Sequence, residues 1–182
     1  LLSFYEPGYW SSNIRRKYLR VKLRNKWKYQ IRRIMKLHQF EEGDLDSLME
    51  FLDDNLTENY RKEVFLNIKK KWPDGFLLIK DQQKIIGVGC GAILPNEKLR
   101  VLIIALEKEY QGRGLGTKLM DQMISAAMIF GITKVTLEVR KDSQAINFYR
   151  KLGFSSVDVL PCYYQDGCDG IVMERQLKSI KK

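Results

Sequence analysis

The chain has 182 residues and a mass of 21.4 kDa; 45% of the residues are hydrophobic and 30% are charged, which excludes a chain disordered throughout its length. The longest apolar run, residues 101–106, is far shorter than the roughly 20 residues that cross a bilayer, so we expect no membrane span. Three cysteines, Cys90, Cys162 and Cys168, are too few for a disulfide framework and lack metal-site spacing. We therefore expect a reducing, cytoplasmic setting and no bound metal.

The net charge of +10 lies entirely in the first fifth of the chain. Residues 1–36 hold eleven basic residues and one acidic residue, and the other 146 residues hold 21 of each. Such a segment, interleaved with aromatic residues, is typical of one that binds RNA, the ribosome or an anionic membrane surface. The same composition is also typical of a poorly ordered, solvated extension. Translation starting at Met35 is another explanation, and in a further one residues 29–36 open the first strand, so that only residues 1 to about 27 lie outside the fold. We expect an extension over residues 1–27 and one folded domain over residues 28–182.

Hydrophobic spacing and turn residues predict the elements of that domain in chain order. A strand over residues 31–40 precedes two helices, in which apolar residues recur at helical spacing from Leu45 to Trp72. Three strands follow, at residues 76–80, 84–94 and 99–106, and then a helix from Leu115 that ends before Gly131. The remaining prediction is a strand at 134–140, a helix at 143–152 and a strand pair at 156–164 and 170–177. This order indicates a mixed sheet flanked by helices.

A glycine-rich turn joins the most hydrophobic strand to the long helix. Gly112, Gly114 and Gly116 alternate in it, and glycine removes the Cβ that would keep a ligand away from the backbone. Backbone N–H groups at a helix N-terminus suit a pyrophosphate, with Arg113 and Lys118 adding positive charge at the edge. The same pattern also fits a plain strand-to-helix turn in which glycines relieve crowding.

The motif Gln111-x-x-Gly114-x-Gly116 resembles the coenzyme A signature of the GCN5-related N-acetyltransferases, the GNAT family. Downstream, Leu137-Glu-Val-Arg140, then Ala145-Ile146, then Phe148-Tyr-Arg-Lys-Leu-Gly-Phe154 are similar to that family's fifth strand, fourth helix and sixth strand. The resemblance covers about residues 31–178 and is strongest to the RimI-like and Ard1-like protein N-terminal acetyltransferases. It implies an α/β (α+β) fold, a mixed and mostly antiparallel sheet of six to seven strands flanked by about four helices.

The resemblance also implies a direct transfer of the acetyl group of acetyl-CoA to an amine, without a metal or a covalent enzyme intermediate. Amides from Gly112 to Thr117 would hold the pyrophosphate, and the N–H of Leu106 would polarise the thioester carbonyl. Asp142 or Ser143 stands where an asparagine commonly contacts the pantetheine arm. The expected cofactor-binding residues are Ile104, Leu106, Gln111, Gly112, Arg113, Gly114, Leu115, Gly116, Thr117, Asp142 and Tyr149.

The resemblance assigns the acid and the base to two further residues. Tyr149 would protonate the departing thiolate, and Glu138 would accept the amine proton through a water. Glu107 is a rival base at the end of the same strand as Leu106. From the pattern alone, Glu138 could be an outward strand position that pairs with a lysine, and Tyr149 could be an aromatic core residue.

The paired tyrosines Tyr163 and Tyr164 resemble those that line the peptide entrance of the N-terminal acetyltransferases. The substrate expected from this likeness is a protein or peptide N-terminus, with that of a ribosomal protein as one candidate. The alternatives are a small amine, such as a polyamine or an amino acid, or an RNA- or ribosome-binding protein on an acetyltransferase scaffold. Either a monomer or a homodimer is compatible with the sequence.

Overall fold

The order of elements follows the hydrophobic pattern of the sequence. The computed structural model describes residues 35–58, 60–94 and 96–177, and the described residues from Leu37 onward form one compact unit. The predicted extension over residues 1–27, and residues 31–34 of the first predicted strand, lie outside the described residues. The elements are β1 (Lys36–Gln39), α1 (Leu45–Asn55), α2 (Lys62–Lys71), β2 (Phe76–Asp81), β3 (Lys84–Leu94), β4 (Lys98–Leu106), α3 (Leu115–Ile129), β5 (Lys134–Arg140), α4 (Ala145–Lys151), β6 (Ser155–Leu160) and β7 (Gly170–Gln176).

The seven strands form one sheet in the order β1-β2-β3-β4-β5-β7-β6. The pairs β2–β3, β3–β4, β5–β7 and β6–β7 are antiparallel, and β4–β5 is parallel. The predicted mixed, mostly antiparallel sheet with four helices is confirmed.

Strand β3 is buried on both faces because its alternate side chains meet different helices. Val88 and Cys90 pack in a core that also holds Phe65 of α2. Their neighbour Gly89 faces α3, where an added Cβ would meet the Leu119 Cβ at 3.2 Å. The sheet therefore has helices on both faces, and β3 and β4 are its rigid centre.

The two central parallel strands diverge after a short stretch of pairing. Register between β4 and β5 runs from Lys98 opposite Lys134 to Val101 opposite Leu137, and stops there. Both strands continue, so residues 102–106 of β4 face a gap. On its other side β4 carries a bulge, since Cys90 lies opposite Ile103 and Gly91 opposite Val101, which leaves Leu102 without an opposite residue.

Two local predictions were wrong. Tyr60 continues the helical spacing of the first helices, but it lies in their connection, because the extended backbone of Leu56 ends α1 and α2 starts only at Lys62. The strand predicted over residues 156–164 ends at Leu160. Pro161 has no N–H to donate to a ladder, and Cys162 has a φ of +50°, so Tyr163 and Tyr164 lie in a loop.

Candidate active site

The gap beside β4 exposes backbone amides. The N–H of Glu107 donates to the carbonyl of Ile86 on β3 at 3.0 Å. Because bonded and non-bonded pairs alternate along an antiparallel ladder, the N–H groups of Leu106 and Ile104 point away from β3, towards β5. Pairing with β5 has already ended there. The side-chain amide of Gln111 donates through its Nε2 to the Leu106 carbonyl at 3.0 Å and fixes this end of the strand.

The glycine turn lies directly beyond these amides. Gly112 and Gly114 have φ values of +70° and +81°, a left-handed conformation that disfavours any side chain. An added Cβ at either position would meet nothing within 4 Å, so the space above the turn is open. Gly114 is the N-cap of α3, and amides of the first helical turn have no partner within the helix. The turn therefore has free backbone donors and an accessible surface, which fits a phosphate group.

A cavity of about 660 Å³, here called the turn cavity, connects this turn to the gap. Thr117 on α3 lines it too, and so do Phe148 and Tyr149 of α4. The predicted residues of the turn and of β4 that line it are Ile104, Leu106, Gln111, Gly112, Gly114 and Gly116.

Gly116 is a glycine for a different reason from its neighbours. An added Cβ would lie 3.2 Å from the Phe148 Cζ and 3.7 Å from a methyl carbon of Leu106. The missing side chain lets α3 approach α4 closely, and this contact closes one wall of the turn cavity.

A second cavity of about 620 Å³, the tyrosine cavity, lies on the other side of the gap. Tyr60, Tyr163 and Tyr164 line it, together with Arg100 and Glu138. The residues that line both cavities are Leu56, Ile104, Ser143 and Tyr149. The two cavities therefore meet at this shared wall.

Tyr149 is buried at the wall that the two cavities share. It is 8% exposed, and its ring lies 5.1 Å from the ring of Phe148 and 5.9 Å from that of Phe154, centroid to centroid. Burial raises the pKa of Tyr149 to about 12, because water no longer solvates the phenolate. The phenol therefore keeps its proton at neutral pH.

Glu138 faces the tyrosine cavity and pairs with an arginine instead of the lysine that the pattern alone suggested. Its Oε2 accepts from the Arg100 Nε at 3.0 Å, and Arg100 also donates to the Tyr163 hydroxyl at 3.2 Å. The rival Glu107 pairs with Lys84 at 2.6 Å and is absent from the described lining of both cavities. Of the two carboxylates, Glu138 is the one brought close to the shared wall.

Arg140 fixes the loop that carries the paired tyrosines. Its guanidinium donates to both oxygens of Asp166, at 3.1 and 2.7 Å, and to both oxygens of Asp142, at 3.1 Å each. These bonds lower the pKa of both aspartates. The guanidinium also lies 5.0 Å from the centre of the Tyr164 ring, and burial raises the pKa of Tyr164. Arg140 thus ties the loop before β7 to the turn after β5.

Three predicted cofactor residues, Asp142, Leu115 and Arg113, are not among the described residues that line the turn cavity. Asp142 is held by Arg140, and the neighbouring Ser143 lines both cavities instead. Leu115 is 5% exposed and packs in the core, so only its backbone faces the turn. The Arg113 guanidinium lies 5.3 Å from the centre of the Tyr110 ring.

Sequence reasoning missed the connection between α1 and α2. Leu56, Glu58 and Tyr60 line the tyrosine cavity from this connection. Burial, and to a lesser extent the negative charge of Glu58, raise the pKa of Tyr60 to about 12. An aromatic residue among polar ones between two helices was the only available indication.

Within the described part of the chain, no group of three or more His, Cys, Asp or Glu side chains is arranged to hold a metal ion. Among the same residues, no helix has the length and apolar character needed to span a membrane.

Comparisons with known proteins agree with this geometry. The model of the acetyltransferase (GNAT) family matches residues 45–154. An N-alpha-acetyltransferase of Sulfurisphaera tokodaii is 32% identical over 147 residues, which cover 74% of this chain and 88% of that protein. N-alpha-acetyltransferase 30 of Schizosaccharomyces pombe is 30% identical, with 72% of this chain and 89% of that protein covered.

The crystal structure of Ard1 from Thermoplasma volcanium superposes with a TM-score of 0.75 at 29% identity and covers 80% of this chain and 99% of that one. The open glycine turn and these matches agree with the expected cosubstrate, acetyl-CoA. The chain belongs to the GNAT family and is an acetyl-CoA-dependent N-acetyltransferase.

Proposed function

We propose that the enzyme acetylates the α-amino group of a protein or peptide N-terminus. The observation that carries this proposal is the shared wall, where a cavity suited to the acyl donor meets a second cavity of similar volume. A small amine would need much less than 620 Å³ on the acceptor side. The relatives named as N-alpha-acetyltransferases support the same substrate class.

The chemistry favours an α-amine over a lysine side chain. An α-amino group has an ordinary pKa near 7.7–8.0, against about 10.4 for lysine, so far more of it is neutral at pH 7. The neutral nitrogen attacks the thioester carbonyl carbon; an N–C bond forms, the C–S bond breaks, one proton leaves the nitrogen and one joins the thiolate. The products are the acetylated N-terminus and coenzyme A.

Three groups of this chain would act on that step. In our proposal the N–H of Leu106 donates to the carbonyl oxygen as negative charge develops on it. Tyr149, whose raised pKa keeps it protonated, donates a proton to the thiolate. Glu138 accepts the amine proton through a water, using the carboxylate oxygen that Arg100 leaves open.

Release of coenzyme A tests the substrate class. One peptide is offered with a free α-amine, the same peptide is offered N-terminally blocked with a lysine inside it, and spermidine and free amino acids serve as small amines. We expect turnover with the free N-terminus, and mass spectrometry should locate the acetyl group there. Turnover confined to the small amines or to the internal lysine would overturn the proposal.

A further inference from the structure

Strand β3 carries Gly87 and Gly89 at alternate positions, so both face the same side of the sheet, the side on which α3 lies. Both are buried. A glycine inside a strand gives up side-chain packing, and it commonly marks a place where another group approaches the backbone closely. The group that approaches Gly87 belongs to the active site.

Gly87 lies opposite Leu106 in the antiparallel pairing of β3 with β4, and the Leu106 side chain leans over it. An added Cβ at Gly87 would lie 2.4 Å from the Leu106 Cδ2. Carbon atoms in favourable contact are about 3.5–4.0 Å apart. The Leu106 side chain therefore occupies the space that a side chain at position 87 would need.

Helix α3 limits the Leu106 side chain from another direction. An added Cβ at Gly116 would lie 3.7 Å from the Leu106 Cδ1, which is ordinary contact, so the backbone of α3 is close on this side. With β3 and α3 both near, the side chain has the turn cavity as its open direction, and Leu106 lines that cavity. Gly87 is not among the described residues of the lining, so it can act on the cavity only through Leu106.

We infer that Gly87 is a positioning residue for the acyl donor: because it lacks a side chain, Leu106 lies over β3 and stays out of the space that coenzyme A fills. A methyl group at position 87 displaces the Leu106 Cδ2, the mobile end of its side chain, into the turn cavity. The other close atom, the Ala105 carbonyl oxygen at 3.3 Å, has to move by only a few tenths of an ångström. The fold therefore loses little stability, whereas coenzyme A and the Leu106 side chain compete for the same volume. This inference concerns the donor side of the reaction and holds for any acceptor amine.

Calorimetric titration with coenzyme A, without any acceptor amine, tests the role of Gly87 in a double-mutant cycle. Gly87→Ala should weaken coenzyme A binding about tenfold, because it overfills a closely packed site. Leu106→Val removes the δ-carbons and keeps a branched side chain suited to a strand. In the Leu106→Val background, Gly87→Ala should weaken binding less than about twofold. Native affinity in the single variant Gly87→Ala, or an equal loss in both backgrounds, would overturn the inference.

Gly89→Ala is the matched control, because it adds the same methyl group to the same face of the same strand. An added Cβ at Gly89 would meet the Leu119 Cβ at 3.2 Å, and Leu119 is buried and outside the described lining of the turn cavity. A Cβ cannot rotate away, so the control should lower the Tm at least as much as Gly87→Ala does. Its affinity for coenzyme A should stay within about twofold of that of the unmodified enzyme. A loss of affinity as large as in Gly87→Ala would show that the general packing of α3 on the sheet governs binding, and it would overturn the inference.

Discussion

Coenzyme A binding should require the open space above Gly114. Gly131 is the control, because a side chain there strains the backbone in the same way without entering the turn cavity. Gly114 and Gly131 have φ values of +81° and +76°, and an added Cβ would meet nothing within 4 Å at either position. They stand at opposite ends of α3, roughly 25 Å apart at 1.5 Å per residue, and only Gly114 lines the turn cavity. Gly114→Leu and Gly131→Leu thus impose the same backbone strain at two sites, of which one is functional.

The two variants should lose similar stability. A side chain in the left-handed region costs about 1–2 kcal/mol, which lowers the Tm of a domain of this size by about 2–8 °C. Affinity should differ sharply. A leucine on Gly114 fills the space above the turn, and loss of two charge-assisted hydrogen bonds at about 1.5 kcal/mol each weakens coenzyme A binding roughly 100-fold.

For both variants, isothermal titration calorimetry measures the affinity for coenzyme A, and thermal unfolding measures the Tm. Gly131→Leu should bind coenzyme A with the affinity of the unmodified enzyme. Native affinity in Gly114→Leu, or an equal loss in both variants, would refute the assignment of the phosphates to this turn.

Three further outcomes follow from the site. Tyr149→Phe should lower kcat about 100-fold with little change in coenzyme A affinity, and, because its pKa is about 12, the unmodified enzyme should show no loss from phenol ionisation below about pH 11 in a rate profile. Glu138→Gln should lower kcat by a similar factor in steady-state kinetics, while Glu107→Gln should leave it unchanged; the reverse would reassign the base. Hydrogen bonds from Arg140 lower the pKa of Asp166, so this pair stabilises the fold above the ordinary aspartate pKa near 3.9 and stops doing so as pH falls through the lower folded pKa. Asp166→Asn should therefore lower the Tm at pH 7, and this difference should shrink as the pH falls below the ordinary aspartate pKa; a difference that stays constant over that fall would contradict this role of the pair.

The parts of the site that follow from local chain chemistry could be predicted from sequence. The glycine-rich turn before α3 was predicted, and Gly112 and Gly114 stand in it where the backbone is left-handed. The partner of Glu138 could not be predicted, because Arg100 reaches it only through the parallel pairing of two strands. Tyr60 was not predicted as a site residue, because its spacing matches the apolar face of the helices on either side of it. The tyrosine cavity that it lines is formed by distant parts of the chain.

Prediction of the loop before β7 failed for a local reason. Tyr163 and Tyr164 have high strand propensity, and Pro161 outweighs it by removing a ladder donor. The placement of Asp142 depended on a contact between segments, since Arg140 binds it together with Asp166, 24 positions further along the chain.

The wall common to both cavities makes their sizes interdependent. Substituting Leu56, Ile104 or Tyr149 with a smaller residue to admit a longer acyl chain would remove the surface that, in our proposal, positions the incoming amine. A variant that accepts propionyl or bulkier acyl donors should consequently acetylate peptides less efficiently. Redesign of this enzyme for new acyl groups will have to enlarge the turn cavity at residues that do not belong to the shared wall.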